Sequence, residues 1–252
     1  MCAQIEEFLN ENKMIDLVNK HQVDLDYNRL KLKNELVISR GLFLAKKRYA
    51  IRVINNEGKD VDKINYMGVE IKRSDYPRAS KEFLSELSEL ILKPERLSLP
   101  KVFEYVNRKE KEFIKMIMNG DKSIARPVSF GKEIKDYKTI PQAVKAMMAW
   151  NEIMYDIHKK GAKSYMYWVR GIDFDKIPDP EERENMRKRY SDYVGKGNKL
   201  EVIAIPDEES KLPPWFIPDK KAALEFSFTA RYDLMLKPLM REVKKQEALM
   251  TI

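Results

Sequence analysis

The sequence predicts an α+β protein in which a partial antiparallel sheet is followed by a mainly helical region. Two patterns along the chain support this class. Between residues 29 and 71, apolar side chains alternate with polar ones, as they do in strands that bury one face. From residue 77 onwards they recur every three or four residues, which is the period of an amphipathic helix. We therefore place a domain boundary near Tyr76.

The composition favours association with a polyanion. The 252 residues include 48 Lys and Arg against 40 Asp and Glu, which gives a net charge of +8. Such an excess suits nucleic acid or an anionic membrane surface, but no apolar run approaches the roughly 20 residues that span a bilayer. A single cysteine and the lack of a signal-peptide pattern predict a cytoplasmic protein. The only two histidines are far apart, which argues against a zinc site.

The first part of the chain is predicted to form one helix and several strands. Apolar residues near helical spacing predict an amphipathic helix over residues 5–19. Alternation predicts a strand or hairpin over residues 29–39 and a further strand over residues 42–54. The sequence Asn-Asn-Glu-Gly at residues 55–58 is a hairpin turn signal, and a strand is expected to return over residues 63–71.

The remainder is predicted to contain helices that begin near residues 77, 100, 139 and 219, and strands over residues 164–169 and 200–205 that flank a charged insert with its own polar helix. Ser74 or Asp75 can cap the first of these helices, and Asp219 the last. The helix that begins near residue 139 is expected to reach Gly161. Pro238 should kink or end the last helix.

A run of basic side chains lies within the strand predicted over residues 42–54. In an extended chain, Lys47 and Tyr49 would project from one face, and Lys46 and Arg48 from the other. A solvated basic edge that discourages strand pairing would have this pattern. So would a contact with nucleic acid, where cationic groups neutralise phosphates. The spacing alone leaves both interpretations open.

The same run resembles a known family. Residues 45–50, Ala-Lys-Lys-Arg-Tyr-Ala, and residues 68–77, Gly-Val-Glu-Ile-Lys-Arg-Ser-Asp-Tyr-Pro, are similar to the palm-to-thumb passage of family B DNA polymerases, especially the T-even-phage branch. Weaker similarity continues at residues 123–137, 141–150, 200–206, 213–215 and 234–239. The resemblance implies that residues 1–76 are the C-terminal part of a polymerase palm and that residues 77–252 are the thumb.

The resemblance also implies roles for individual residues. In the family, a Lys-x-Tyr motif touches the minor groove of the primer-template duplex near the primer end, and it corresponds to Lys47 and Tyr49. The minor groove offers nearly the same acceptors at every correct base pair, so such contacts test pair geometry without reading sequence. Neighbouring side chains would bind phosphates, namely Lys46, Arg48, Lys72, Arg73, Ser74 and, more weakly, Arg126. Arg126 and two further weak candidates, Lys122 and Lys132, are equally compatible with a solvated surface.

The catalytic carboxylates are expected on another polypeptide. In this family, aspartates that precede the Lys-x-Tyr motif hold two magnesium ions, and one of them lies in an Asp-Thr-Asp signature that this sequence lacks. The resemblance therefore implies a non-catalytic subunit of a split polymerase. It would bind primer-template DNA and complete the active site of a partner chain that carries the exonuclease, the fingers, the catalytic palm and its Mg²⁺. No catalytic or metal-binding residue is assigned to this chain.

Two other hypotheses stay open. A free-standing, sequence-neutral DNA-binding accessory protein of replication would need no partner. A nuclease would need its own carboxylates, and Asp24 and Asp26 have a suitable spacing, although they follow a polar segment instead of a buried strand. Asp173 and Asp175 form a similar pair in a loop, where a turn or capping role is expected.

The C-terminal tail has one further feature. Gln246, Leu249 and Met250 resemble the Gln-x-x-Leu-apolar peptides with which polymerases of this group bind sliding clamps. The alternative is that these residues are the frayed end of the last helix. A sliding clamp is therefore a second expected partner, whereas no membrane partner is expected.

Overall fold

The structure is a computed structural model that describes residues 2–22, 24, 31–129, 131–132, 136–156 and 161–250, with the backbone alone at residues 2–3 and 241–250. The chain divides into two units. The first comprises Met1–Gly68 and Ser88–Leu97, and the second comprises Val69–Leu87 and Ser98–Ile252. Helices combine with antiparallel sheets, which confirms the predicted α+β class.

A helical segment opens the first unit. A π-helical turn (Leu9–Lys13) joins α1 (Cys2–Phe8) to α2 (Met14–Lys20), which confirms the helix predicted over residues 5–19. Val18 is buried, but most large apolar side chains of this segment are exposed, namely Ile5, Phe8, Ile15 and Leu17. An apolar helix face that stays in water is available for packing against another surface.

The first unit continues into a three-stranded antiparallel sheet. Its strands are, in spatial order, β1 (Leu36–Ala45), β2 (Arg48–Asn56) and β3 (Lys59–Met67). The predicted hairpin turn is confirmed, because Glu57 and Gly58 both have positive φ and link β2 to β3 in two residues. The strand predicted over residues 29–39 starts later, at Leu36. Residues 31–35 have no regular structure, and residues 25–30 lie outside the described part.

Arg52 on β2 ties the sheet to the segment Ser88–Leu97. Its Nε donates to Asp62 Oδ1 on β3 at 2.6 Å, and its Nη1 lies 3.4 Å from Glu89 Oε2. The Arg52 side chain as a whole is only 13% exposed. The buried apolar side chains of this unit are Val18, Leu42, Ala50, Ile51, Val53, Ile91 and Leu92.

The helices predicted for the rest of the chain are present. They are α3 (Arg78–Ile91), whose end belongs to the first unit, α4 (Leu99–Met118), α5 (Gln142–Met154), α6 (Pro180–Gly195), α7 (Lys220–Leu224) and α8 (Ala230–Met250). Asp219 caps α7 as predicted, since its Oδ1 accepts the Ala222 N–H at 3.0 Å. Within the ranges that the structure describes, none of the helices has the length and apolar character needed to cross a membrane.

The predicted caps and helix ends are found in part. α3 begins at Arg78, as predicted, but the Asp75 carboxylate binds two arginines instead of capping the helix. α5 ends at Met154, well before Gly161, and Tyr155 after it adopts a left-handed conformation with φ of +57°. Pro238 was predicted to kink or end the last helix, and α8 continues past it.

The second unit contains more strand than predicted. Its four-stranded antiparallel sheet comprises β4 (Arg126–Ser129), β5 (Lys163–Ile172), β6 (Val202–Pro206) and β7 (Phe216–Pro218), with β5 paired to the other three. The sequence predicts β5 and β6 but not the two shorter strands. α5 covers this sheet through a core of Val144, Ala146, Met147, Met166, Val202 and Ala204.

A separate aromatic cluster joins the helices of the second unit. The Phe228 ring, in the π-helical turn Glu225–Thr229, lies 4.6 Å from the Phe83 ring of α3 and 4.9 Å from the Phe113 ring of α4, between centroids. All three rings are buried, with Phe228 at 0% exposure. This cluster therefore connects segments that are distant in sequence.

Candidate nucleic-acid interface

The basic run forms a tight turn and not a straight strand. β1 ends at Ala45 and β2 begins at Arg48, so Lys46 and Lys47 are the turn residues between them. Lys47 has φ of +60°, in the left-handed region. The predicted alternation of these lysines along one strand is therefore wrong. The turn instead leaves both lysines exposed at the end of the sheet.

Tyr49 lies next to this turn, in the middle of an apolar row. It is in register with Phe43 on β1 and with Met67 on β3. The rings of Phe43 and Tyr49 are 6.0 Å apart between centroids. Phe43 is 64% exposed and Met67 is 48% exposed, so the half-buried tyrosine has exposed apolar neighbours on both sides. The sequence pattern does not reveal this row, because it indicates no turn at Lys46 and Lys47.

Gly68 packs closely against the turn formed by Lys46 and Lys47. Arg48 Nε donates to the Gly68 carbonyl at 3.0 Å, and a Cβ added at Gly68 would lie 2.4 Å from the carbonyl oxygen of Lys47. Gly68 has φ of +62°, a conformation that other residues rarely adopt. The two stretches that carry the family resemblance, residues 45–50 and 68–77, therefore meet at this glycine.

The other predicted arginines lie in the second unit and share one carboxylate. Arg73 donates Nε and Nη2 to the two Asp75 oxygens, each at 2.9 Å, and Arg126 donates Nη2 to Asp75 Oδ2 at 3.2 Å. Arg126 is 51 residues from Asp75, so no local sequence pattern indicates this pairing. Asp75 offsets part of the positive charge that a phosphate would meet here. Lys72 and Ser74, also predicted to bind DNA, are exposed beside this cluster.

The Asp75 carboxyl should respond to acid. The hydrogen bond from Arg73, with a smaller contribution from Arg126, lowers its pKa below the usual 3.8. A carboxyl with a lowered folded-state pKa stabilises the fold above its unfolded-state pKa and loses that effect as the pH falls through the folded-state value. We expect Asp75→Asn to reduce the acid sensitivity of the second unit below about pH 4, followed by the fluorescence of its tryptophans.

The same substitution should strengthen DNA binding, because it removes one negative charge and releases two guanidinium groups. Affinity for a primer-template duplex measures this effect. Arg73→Lys provides the matched control, since it keeps the charge but loses the two-pronged hydrogen bond to Asp75. Weaker binding by Asp75→Asn would show that the arginines need Asp75 to hold them in place.

Lys122 is bound to another residue of the chain, whereas Lys132 is exposed. Lys122 Nζ donates to the carbonyl of Asp207 at 2.5 Å and to its Oδ1 at 2.8 Å, and it lies 4.3 Å from the Tyr165 ring centroid. The hydrogen bond from Lys122 lowers the pKa of Asp207. Lys122 is therefore less available to DNA than an unpaired lysine would be.

The two carboxylate pairs noted in the sequence are described to different extents. Asp24 is described, but Asp26 lies outside the described part. Asp173 precedes the short turn Phe174–Lys176 and pairs with Lys176 at 3.2 Å, which agrees with the predicted turn role. No group of three or more His, Cys, Asp or Glu side chains in the described ranges could hold a metal ion.

The predicted clamp-binding residues lie at the end of α8. The helical backbone of α8 includes Gln246, Leu249 and Met250. The side chains of these residues lie outside the described part. Clamp binding stays a prediction.

The chain is thus an α+β protein of two units, each with a group of exposed cations. Comparison with family models goes further: the model of DNA polymerase family B matches residues 5–159. The chain therefore belongs to DNA polymerase family B.

A solved structure shows the same fold. The chain is similar to the family B DNA polymerase from the hyperthermophilic archaeon Pyrobaculum calidifontis, with a TM-score of 0.50 and 19% sequence identity. The match covers 92% of this chain and 24% of that polymerase, so the chain spans about a quarter of its length. Comparison with curated proteins gives no match.

Proposed function

We propose that this chain is the palm C-terminal part, residues 1–76, and the thumb, residues 77–252, of a DNA-directed DNA polymerase from the T-even-phage-like branch. It binds primer-template duplex and completes an active site whose magnesium-binding aspartates lie on a partner chain. By itself it does not extend a primer. The observation that carries this proposal is the turn of Lys46 and Lys47 beside Tyr49, held by Gly68.

The geometry of the turn suits a duplex of any sequence. Two exposed ammonium groups at the end of a hairpin can approach a polyanion from one direction. A tyrosine hydroxyl and a lysine can donate to the acceptors that the minor groove presents at every correct base pair. Phe43 and Met67, in register with Tyr49, add apolar surface for the sugar edges. These features support sequence-neutral binding.

The surface of the first unit supports the proposal that a partner chain binds to it. Most of the large apolar side chains that are exposed in the described part belong to this unit: Ile5, Phe8, Ile15, Leu17, Leu32, Leu36, Ile38, Phe43, Ile54 and Met67. Its sheet also has two edges, β1 and β3, without a further strand among the described residues. A partner that adds the rest of a palm would cover both. A free-standing accessory protein would be expected to bury such side chains itself.

Salt dependence tests the assignment of the turn. Lys46→Ala should reduce the slope of log affinity against log salt by about 0.9, because one phosphate is no longer neutralised. Affinity for a primer-template duplex, measured from about 50 to 200 mM salt, gives this slope. Lys188→Ala, an exposed lysine on α6, is the matched control and should leave the slope unchanged. An unaltered slope in Lys46→Ala would mean that Lys46 binds no phosphate.

A further inference from the structure

The segment of residues 69–76, which precedes α3, is anchored at both ends and exposed in the middle. Glu70, near its start, is buried at 6% exposure, and Tyr76, at its end, is half-buried. Between them, the Lys-Arg-Ser stretch of residues 72–74, which is predicted to bind DNA, is exposed. We call residues 69–76 the connecting segment. Its predicted DNA contacts therefore lie between two residues that face the interior of the second unit.

Arg231, near the start of α8, contacts both ends of the connecting segment. Its Nη1 lies 3.5 Å from Glu70 Oε1 and donates to the Tyr76 hydroxyl at 3.2 Å. Its guanidinium carbon lies 4.7 Å from the centre of the Tyr76 ring. The Arg231 side chain is 13% exposed and that of Glu70 is 8% exposed, so water has little access to the ion pair. One arginine therefore binds residues on both sides of the exposed stretch.

The guanidinium of Arg231 is itself fixed by its surroundings. Its Nε donates to the Phe226 carbonyl at 2.8 Å, and its carbon lies 5.2 Å from the centre of the Phe226 ring. That ring stacks on the Tyr76 ring, with 5.9 Å between centroids and 9° between planes, and lies 4.4 Å from the Trp168 ring of β5. A planar guanidinium can donate in several fixed directions and stack on rings at the same time, which a lysine ammonium group cannot do.

A gain in stability is a weak explanation for the ion pair of Glu70 and Arg231. Removing two charges from water costs free energy, and an apolar pair of similar volume is often as stable or more stable. The pair does provide a defined geometry, because the hydrogen bonds and ring contacts of Arg231 set its direction. A binding segment that is already ordered loses less conformational freedom when it meets its ligand.

We propose that Arg231 is a positioning residue for DNA binding. It does not touch DNA. Through Glu70 and Tyr76 it holds the connecting segment in one conformation, so that the side chains of residues 72–74 are ordered before the duplex arrives. The inference rests on the proposed function and deepens it, because it adds a residue that raises affinity without contacting the DNA.

Arg231→Lys tests this role, because it keeps the charge of the ion pair but loses the planar fork. The affinity of the full chain for a primer-template duplex should fall about two- to tenfold, since the connecting segment then has to be ordered on binding. In a chain that also carries Lys72→Ala and Ser74→Ala, the same substitution should have a smaller effect, because fewer contacts remain to be positioned. An equal fold-loss in both backgrounds would overturn the proposal, since a general loss of structure or a direct contact of Arg231 with DNA would have that effect.

Arg189→Lys is the matched control. Arg189 lies on α6 in the same unit, has a side chain that is 22% exposed and pairs with Glu182. It is not among the predicted DNA contacts, and we expect its variant to keep wild-type affinity.

Tyr76→Phe gives a milder variant if Arg231→Lys does not fold, which the Tm shows. It removes only the hydroxyl that accepts from Arg231 and keeps the stacked ring. It should weaken binding in the same direction but by a smaller factor. Wild-type affinity in Tyr76→Phe and in a folded Arg231→Lys would contradict the proposal.

The outcomes distinguish this inference from the proposed function. If Lys72→Ala, Ser74→Ala lowers the affinity but Arg231→Lys does not, only the positioning role fails. If Lys72→Ala, Ser74→Ala binds like the wild type, the connecting segment does not contact DNA, and the positioning role fails while the turn of Lys46 and Lys47 keeps its assignment. If the wild-type chain binds no duplex, the positioning role and the proposed function both fail.

Discussion

Gly68→Ala should destabilise the first unit and weaken DNA binding together. The new Cβ would lie 2.4 Å from the Lys47 carbonyl oxygen and 2.9 Å from Arg48 Cγ, so the turn has to move. The left-handed backbone costs a further ~1–2 kcal/mol for a residue with a Cβ. Hydrogen exchange of the β2 amides measures the stability of the unit, and titration with primer-template duplex measures binding.

Gly58→Ala is the matched control for this substitution. Gly58 also has a left-handed conformation, with φ of +85°, but an added Cβ there would meet no atom within 4 Å. Both variants carry the backbone penalty, and only Gly68→Ala adds the clash with the turn. We expect Gly58→Ala to keep wild-type DNA affinity. Equal affinity in the two variants would mean that the position of the turn does not matter for binding.

Phe228→Ala should be the most destabilising single change in the second unit. The ring is fully buried between Phe83 and Phe113, and removing it leaves a cavity that cannot easily collapse. Truncation of a buried phenylalanine costs about 3–5 kcal/mol. For a unit of this size, each kcal/mol lowers the Tm by roughly 2–4 °C. All three tryptophans of the chain lie in this unit, so their fluorescence reports its unfolding.

Phe103→Ala gives the comparison within the same unit. Phe103 lies on α4 like Phe113, but it is 39% exposed. Its truncation should cost about 1 kcal/mol or less, as is usual for surface substitutions. If Phe103→Ala and Phe228→Ala lowered the Tm equally, the aromatic cluster would not be the main support of the unit.

The sequence was sufficient to predict an element of secondary structure where that element carries a strong local pattern. The period of Phe83, Leu84 and Leu87 predicts α3, and all three side chains are buried. The turn at residues 55–58 was predictable because Glu-Gly follows two asparagines between alternating strands. In both cases the signal lies in neighbouring residues, so no knowledge of distant contacts is needed.

Features set by distant contacts were not predictable. Lysine is not a usual turn residue, and the left-handed Lys47 is accommodated by packing against Gly68, 21 positions along the chain. β4 and β7 are too short to show alternation. The binding candidates were located by resemblance, but the sequence did not reveal that Asp75 binds both Arg73 and Arg126.

Reconstitution of primer extension tests the central proposal most directly. This chain is mixed with the polypeptide that carries the exonuclease, the fingers and the catalytic aspartates, and extension of a primed template is measured with Mg²⁺ present. We expect extension by the mixture and by neither chain alone, and we expect Tyr49→Ala to weaken extension while the two chains still associate. Extension by this chain alone, or no extension by a mixture of two folded chains, would contradict the account.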